Sequence, residues 1–422
     1  MSDLHLPPLP TASHPTDVTI SGTALLLTVS GPDRPGVSRT FFTALDGLPI
    51  LLLDVEQVVT SGQLILAALV VPDPSTHVGV ADTDSTLADT ESTAAEVVRS
   101  IGLTLHHERR PTAEGAVVPT QIHVTVLGSP LRPNAMASIA RTVAECGGNI
   151  ENIERLAAYP VTAIELHVSG ADQLVLRKRL AAEAAGVGYD VAVQPAGLHR
   201  RAKRLVVMDV DSTLIQGEVI EMLAAHAGCQ KEVAEVTEAA MRGDLDFAES
   251  LRRRVRLLEG LDAAALHDVA TSIVLTPGAR TLIRTLRRLG YRCGVVSGGF
   301  DVVTDHLAQE LGLDYSLANH LEVRDGVLTG AVTEPVVDRA AKAQALRDFA
   351  RASGVPLAQT VAIGDGANDL DMLQTAGLGI AFNAKPLVQA AADTSVNVPY
   401  LDTILFLLGI SRAEVEVADG EG

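Results

Sequence analysis

Tryptophan is absent from this 422-residue chain, and aromatic residues make up only 3% of it. Its cores must therefore be built from Ala, Val, Leu and Ile, and with apolar residues at 47% they can be large. Positive charge is also short. Lys and Arg total 33 against 52 Asp and Glu, a formal charge of −19. That balance argues against non-specific binding to nucleic acid or to an anionic membrane, both of which need positive surface. A small anionic substrate would need cations placed locally. Cysteine is sparse. Cys146, Cys229 and Cys293 are far apart without metal-ligand spacing, which suits reduced thiols and a cytoplasmic location. No apolar run is long enough to span a bilayer, and the polar, Pro-rich start does not read as a signal peptide.

What is present falls into segments. Residues 1–20 are rich in Pro, Thr and Ser and read as a loose N-terminal stretch. Strand patterns at 24–30, 50–59, 64–71 and 103–108, with helical periodicity at 35–45 and toward 96, define a first domain over 21–110. After a linker at 111–119 the pattern repeats over 120–196, with strands at 121–127, 150–157, 161–168 and 190–193 and helices at 134–146 and 172–185. Two successive βαββαβ units indicate a duplication of the split βαβ, ferredoxin-like type. A basic hinge at 199–203 leads into a third region, 204–412, where short Val/Ile/Leu strands at 205–210, 292–296, 360–363 and 379–381 alternate with helices. That rhythm predicts a doubly covered, Rossmann-like parallel sheet. A helical insertion at about 216–275 would sit over the carboxyl ends of the strands, where such folds bind ligands. Residues 413–422 read as an acidic tail.

The chemistry concentrates at the ends of those strands. The first ends in Asp209-Val-Asp211-Ser-Thr213, the second in Ser297-Gly298-Gly299, and the third in Gly364-Asp365-Gly-Ala-Asn368-Asp369. Lysine occurs only at 178, 203, 231, 342 and 385, so Lys342, just before the third strand, stands out in a chain that elsewhere prefers Arg. Singly, each feature is ordinarily a turn, a cap or a solvated side chain. In order and at successive strand ends, they suit phosphoryl transfer. Asp209 can attack phosphorus, and Asp211 can protonate the leaving oxygen and then activate water. Asp365 with Asp209 offers hard oxygen ligands for Mg²⁺. Ser297, Lys342 and the amides of Gly298 and Gly299 can hold the phosphate oxygens.

On these motifs, residues 205–400 resemble the haloacid dehalogenase superfamily of phosphohydrolases. The resemblance implies that Asp209 is the nucleophile and Asp211 the general acid/base. It implies Mg²⁺ held by Asp209, the backbone carbonyl of Asp211, and Asp365, with Asp369 supporting the ion from behind and Asn368 among the substrate-binding positions. Within the insertion, the run from Asp246 to Val255 resembles the cap of phosphoserine phosphatases, Asp-Phe-x-x-Ser-Leu-x-x-Arg-Val. That implies Glu218 for the substrate ammonium, Arg254 for its carboxylate, and Phe247 lining the pocket. An amino-acid head group needs one anion and one forked cation, so the assignment is chemically sensible. The run Arg252-Arg253-Arg254-Val-Arg256 does not by itself single out Arg254.

Gly31-Pro-Asp33-Arg34-Pro-Gly36 resembles the Gly-x-Asp-Arg-x-Gly turn of ACT domains, which bind amino acids near that turn and commonly pair. Pro35 is well placed for a first helical turn, and Gly36 for close packing. The second copy, Gly128 to Asn134, has no Asp in the corresponding place. The expectation is an enzyme that hydrolyses O-phospho-L-serine with Mg²⁺, as the last step of serine synthesis. It would be a homodimer, with L-serine or another amino acid as effector at Gly31, Asp33, Arg34 and Gly36. The competing expectations are an amino-acid-sensing regulator on a retired phosphatase fold, and a phosphatase for another small phosphomonoester.

Overall fold

The computed structural model of the chain describes residues 22–76, 80–111, 121–197, 200, 202–242 and 244–420. The expected loose start, residues 112–119 of the expected linker, and residues 199 and 201 of the basic hinge lie outside them. The chain divides into two compact units, Met1–Val118 and Pro119–Gly422.

In the first unit, strands β1 (Thr23–Pro32), β2 (Ile50–Thr60), β3 (Gln63–Pro72) and β4 (Thr104–Pro111) form an antiparallel sheet in the order β2-β3-β1-β4. Alternation puts Leu25, Leu27 and Val29 of β1 and Leu64, Leu66, Ala68 and Val70 of β3 on the buried face. There they pack against Phe41 and Leu45 of the helix Val37–Leu45 and against Leu87, Ala94 and Val98 of the helix Val80–Ser100. Edge strand β2 is exposed along most of its length, including Leu52, Val55, Val58 and Val59. The helix after β1 begins later than its sequence suggests. Gly36 is its N-cap, so Pro35 lies outside the first turn. Gly36 is needed for its backbone, at φ +94°, and not for packing, because a Cβ there would meet nothing within 4 Å.

The second unit opens with a sheet of the same order, β6-β7-β5-β8, built from β5 (Gln121–Gly128), β6 (Asn149–Ala157), β7 (Thr162–Ser169) and β8 (Asp190–Pro195). The helices Pro133–Glu145 and Gln173–Val187 cover it. The chain then builds a six-stranded parallel sheet in the order β11-β10-β9-β14-β15-β16. Its strands are β9 (Leu205–Met208), β10 (Arg292–Phe300), β11 (Tyr315–Asn319), β14 (Thr360–Gly364), β15 (Gly379–Phe382) and β16 (Thr394–Val396). The expected fold class, an α/β parallel-sheet core preceded by two βαββαβ modules, is the one observed. β9, β14 and β15 are buried throughout, as strands with helices on both faces must be. The two sheets of this unit meet where Asp190 of β8 accepts from the Asn397 backbone amide (2.6 Å) and side chain (2.7 Å), next to β16.

The insertion between β9 and β10 holds the helices Val219–Ala227, Gln230–Met241, Phe247–Arg256 and Ala264–Ser272. A hairpin of β12 (Leu321–Arg324) and β13 (Val327–Val332) lies against Phe247–Arg256, and a Cβ on Gly330 would come within 3.3 Å of the Arg256 Cα. Neither the hairpin nor β11 and β16 has a strong enough pattern to be read in advance. Two readings are corrected. The first parallel strand stops at Met208, not Val210, because the chain leaves the sheet at Asp209. The acidic tail is a helix, Arg412–Gly420, whose Asp419 accepts from Arg284 and from Arg288 (2.8 Å). Among the described residues no helix is long and apolar enough to cross a membrane.

Candidate active site

β9 is the pivot of the parallel sheet. β10 lies on one side of it and β14 on the other, so the crevice where the strand order reverses opens at the carboxyl ends of these three strands. Asp209 follows β9, and its backbone amide donates to Ile363 O of β14 at 2.9 Å. The chain then turns tightly through Val210–Leu214, with Ser212 at φ +57°. The two aspartates therefore do not share a face by strand alternation; the turn aims each at a different partner. Asp209 Oδ1 accepts from Lys342 Nζ at 2.6 Å, whereas Asp211 Oδ2 accepts from Ser297 Oγ at 3.0 Å and Asp211 Oδ1 from the Val219 amide at 2.8 Å.

Lys342 stands on the helix Arg339–Ala352, whose N-cap Asp338 accepts from the Ala341 amide. It is fully buried, and its ammonium also donates to Asp369 Oδ1 at 2.7 Å. Asp369 Oδ2 accepts from the Gly366 amide at 2.9 Å, which closes the loop after β14. Asp365 Oδ1 accepts from Thr213 Oγ1 at 3.0 Å. One carboxylate oxygen from each of Asp209, Asp365 and Asp369 lies within 4.8 Å of the others. Three acids against one ammonium leave the cluster short of positive charge. Burial, helped by Asp369, holds the Asp209 carboxyl well above its ordinary range against the pull of Lys342, and burial with Asp369 pushes Asp365 up to about 6. An all-oxygen donor set with a charge deficit fits a hard divalent cation such as Mg²⁺.

Ser297, Gly298 and Gly299 end β10. The Gly299 amide donates to Ser297 Oγ at 2.8 Å. A Cβ on Gly299 would press on Asp211 Oδ2 at 2.8 Å, and one on Gly298 would meet Phe247 Cζ at 2.8 Å. A side chain at either position would force the Phe247 ring or the Asp211 carboxylate to move. The second contact places the Phe247 ring, at the start of a cap helix, directly against the strand end. Asn368, next to Asp369, is half-buried in the same loop.

Glu218 caps the helix Val219–Ala227 and accepts from Ser212 Oγ at 2.9 Å. Burial, then repulsion from Asp211, raises its pKa to about 7. The arginine run resolves itself. Arg252 pairs with Glu334 (2.6 Å) and Arg253 with Glu249 (2.5 Å), and these two and Arg256 are exposed. Arg254 alone turns inward. Burial lowers its pKa, opposed first by Glu218 and then by Asp211, and its Nε is buried without a hydrogen-bond partner. The structure thus brings Asp209, Asp211, Ser297, Lys342, Asp365 and Asp369 into one site, with Phe247, Glu218 and Arg254 at the cap side.

Sequence reasoning gave no role to Thr213 and Ser212, although both lie in the quoted motif. Asn319 was missed altogether. At the end of β11 it donates to Gly298 O (2.8 Å) and accepts from the Val337 amide (2.7 Å), holding the phosphate-loop candidate to the segment that leads to Lys342. A buried Asn at a strand end would have been a signal had that strand been recognised. Gly31, Asp33, Arg34 and Gly36 lie together in the first unit. The Asp33 amide donates to Gly62 O (2.8 Å), the Arg34 guanidinium to Ile101 O, and a Cβ on Gly31 would meet Leu103 Cδ2 at 2.5 Å.

Residues 206–374 match the haloacid dehalogenase-like hydrolase family, and residues 23–89 and 121–194 each match an ACT domain. Fold and site together thus define a haloacid dehalogenase-like hydrolase carrying two ACT domains. The chain is 57% identical to the phosphoserine phosphatase of Streptomyces coelicolor over 409 residues, which cover 97% of this chain and 96% of that one. It is 52% identical to the phosphoserine phosphatase SerB2 of Mycobacterium tuberculosis, covering 94% and 95%. A solved structure of a probable phosphoserine phosphatase from Vibrio cholerae, in unliganded form, aligns with a TM-score of 0.55 at 33% identity over 71% of this chain and 89% of that one. The chain belongs to the phosphoserine phosphatase family.

Proposed function

We propose that this chain hydrolyses O-phospho-L-serine to L-serine and phosphate through a phospho-aspartyl intermediate. The observation that carries the substrate assignment is Arg254: a largely buried guanidinium, turned toward the crevice, with Nε unpartnered. A buried cation left this way is poised for an anion, and a forked guanidinium fits a carboxylate. Glu218 provides the opposite charge for the ammonium.

Asp209 Oδ attacks phosphorus as the bond to the serine oxygen breaks, and Asp211 gives that oxygen its proton. Burial raises the Asp211 carboxyl, which favours the protonated form this step needs. Water then attacks the phosphoryl group on Asp209, losing its proton to the Asp211 carboxylate, and phosphate leaves. Lys342 holds Asp209 in line, and the Ser297 hydroxyl with the Gly298 and Gly299 amides receives phosphate oxygens. Mg²⁺, when bound, neutralises charge on the transferring group. Asp209, Asp365 and the Asp211 backbone carbonyl would hold it. Both oxygens of Asp369 are already engaged, which supports a role behind the ion. Phe247 shields the crevice from water, and Asn368 contributes to the phosphate end.

The same reading assigns an amino-acid effector, L-serine first, to the turn of Gly31, Asp33, Arg34 and Gly36. It assigns a homodimer through exposed sheet edges such as β2, and a cytoplasmic place consistent with three free thiols. The test is phosphate release from phosphoserine, phosphothreonine, a sugar phosphate and a phosphopeptide, with Mg²⁺ and with EDTA. Mg²⁺-dependent preference for phosphoserine is expected. Broad or sugar-directed activity would keep the catalytic aspartates and discard the roles of Glu218 and Arg254.

A further inference from the structure

A second cluster of metal-ligating side chains lies outside this site, on the sheet β6-β7-β5-β8. His123 of β5 and His167 of β7 are register partners across the antiparallel pair. Glu165, two residues before His167, shares their face. We infer that His123, Glu165 and His167 form a binding site for a borderline divalent cation of the zinc class, at the joint between this sheet and the C-terminal segment of the catalytic domain.

The spacing fits. Glu165 Oε1 lies 3.1 Å from His123 Nδ1 and 3.4 Å from His167 Nε2. Ligands at the usual zinc distances of about 2.0–2.1 Å in a tetrahedron stand about 3.3–3.4 Å apart. The His123 Nδ1 is buried and its approach to the Glu165 carboxylate is close without being a well-aligned hydrogen bond. The other oxygen, Oε2, is taken from behind by Arg200, which also donates to Leu407 O (3.2 Å) and Phe406 O (3.3 Å). Such support fixes the orientation of a carboxylate ligand.

A cavity of about 230 Å³ is lined by all three residues. Glu154, Glu414 and Ser411 also line it, so its acids exceed its one arginine, and it has room for water to complete the coordination. Two imidazoles and one carboxylate select against Mg²⁺, whose all-oxygen preference is met by the aspartate cluster. A cation here would tie β5 and β7, through Glu165 and Arg200, to the carbonyls at 406–407.

The test is titration of the full-length, chelator-treated protein with Co²⁺ while Mg²⁺ saturates the oxygen site. One equivalent should give an intense visible band, displaced by one equivalent of Zn²⁺. His123→Gln and His167→Gln should abolish the band, Asp365→Asn should keep it, and Arg200→Met should weaken Zn²⁺ binding about 10–100-fold. A spectrum like that of aqueous Co²⁺, or a band lost in Asp365→Asn and kept in His123→Gln, overturns the inference. Should the histidine variants not fold, X-ray absorption of the zinc-loaded unmodified protein decides. Scattering from two imidazoles supports the site, and an all-oxygen shell refutes it.

Discussion

Replacing Arg254 by Met should separate stability from activity. The methionine fills much of the same volume but removes the charge. In the free protein the guanidinium is largely buried with Nε unpartnered, a penalty of about 1–3 kcal/mol that Glu218 and Asp211 only partly offset. On binding, a carboxylate would satisfy it with two charge-assisted hydrogen bonds, each contributing about 1.5–3 kcal/mol. Because the guanidinium is already desolvated in the free protein, none of this is given back, and the variant loses about 3–6 kcal/mol, or roughly 100- to 20,000-fold in kcat/KM at about 1.4 kcal/mol per tenfold. The loss should be confined to substrates that carry a carboxylate. Phosphate release from phosphoserine falls by that factor, release from an aryl phosphate changes by less than about threefold, and the urea midpoint stays level or rises. Equal losses on both substrates, or an unfolded variant, would refute the reasoning, because either result makes Arg254 a structural residue.

Other perturbations reach the remaining parts of the site. Lys342→Met strands two buried carboxylates and should cost about 3–5 kcal/mol, a fall of about 6–20 °C in Tm at about 2–4 °C per kcal/mol; millimolar Mg²⁺ should recover part of it in a thermal scan. Glu218 is ionised only above about 7, among Asp211, Asp365, Glu221 and the cation of Arg254. KM for phosphoserine should therefore rise as pH falls below about 7, by up to about tenfold per unit, and Glu218→Gln should flatten that limb; an unchanged profile excludes the ammonium role. Gly298→Ala drives a methyl into the Phe247 ring and should cost about tenfold or more in kcat/KM. Adding Phe247→Leu should return part of that loss, and strictly additive effects would mean that the two residues do not touch during turnover.

The parallel sheet and its strand-end acids were legible because each rests on local pattern: short apolar runs, a turn, then a carboxylate. The two amino-terminal modules were legible through their repeat. What escaped depends on partners distant in sequence. No spacing shows that Arg254 turns inward while Arg252 and Arg253 reach Glu334 and Glu249; the helix face is decided by packing against β13 and Gly298. Asn319 ends a strand too weakly patterned to notice. His123 and His167 become neighbours only when β5 and β7 pair, so their alternation along each strand says nothing of a shared site. Strand alternation would have put Asp209 and Asp211 on one side, but the turn at Ser212 aims them at different partners, and a left-handed serine carries little signal in advance.

The helix Arg412–Gly420 is held by its Asp419 to Arg284 and Arg288, and it also packs against β6. The helix is thus one of several ties between the β6-β7-β5-β8 sheet and the catalytic domain, beside the Asp190–Asn397 contact and the Arg200 bonds to Phe406 and Leu407. The sheet also has a core of its own beneath its two helices, so this seam can open at lower cost than either part unfolds. Loss of the Asp419 pairs would bear on that seam before it reached the catalytic aspartates.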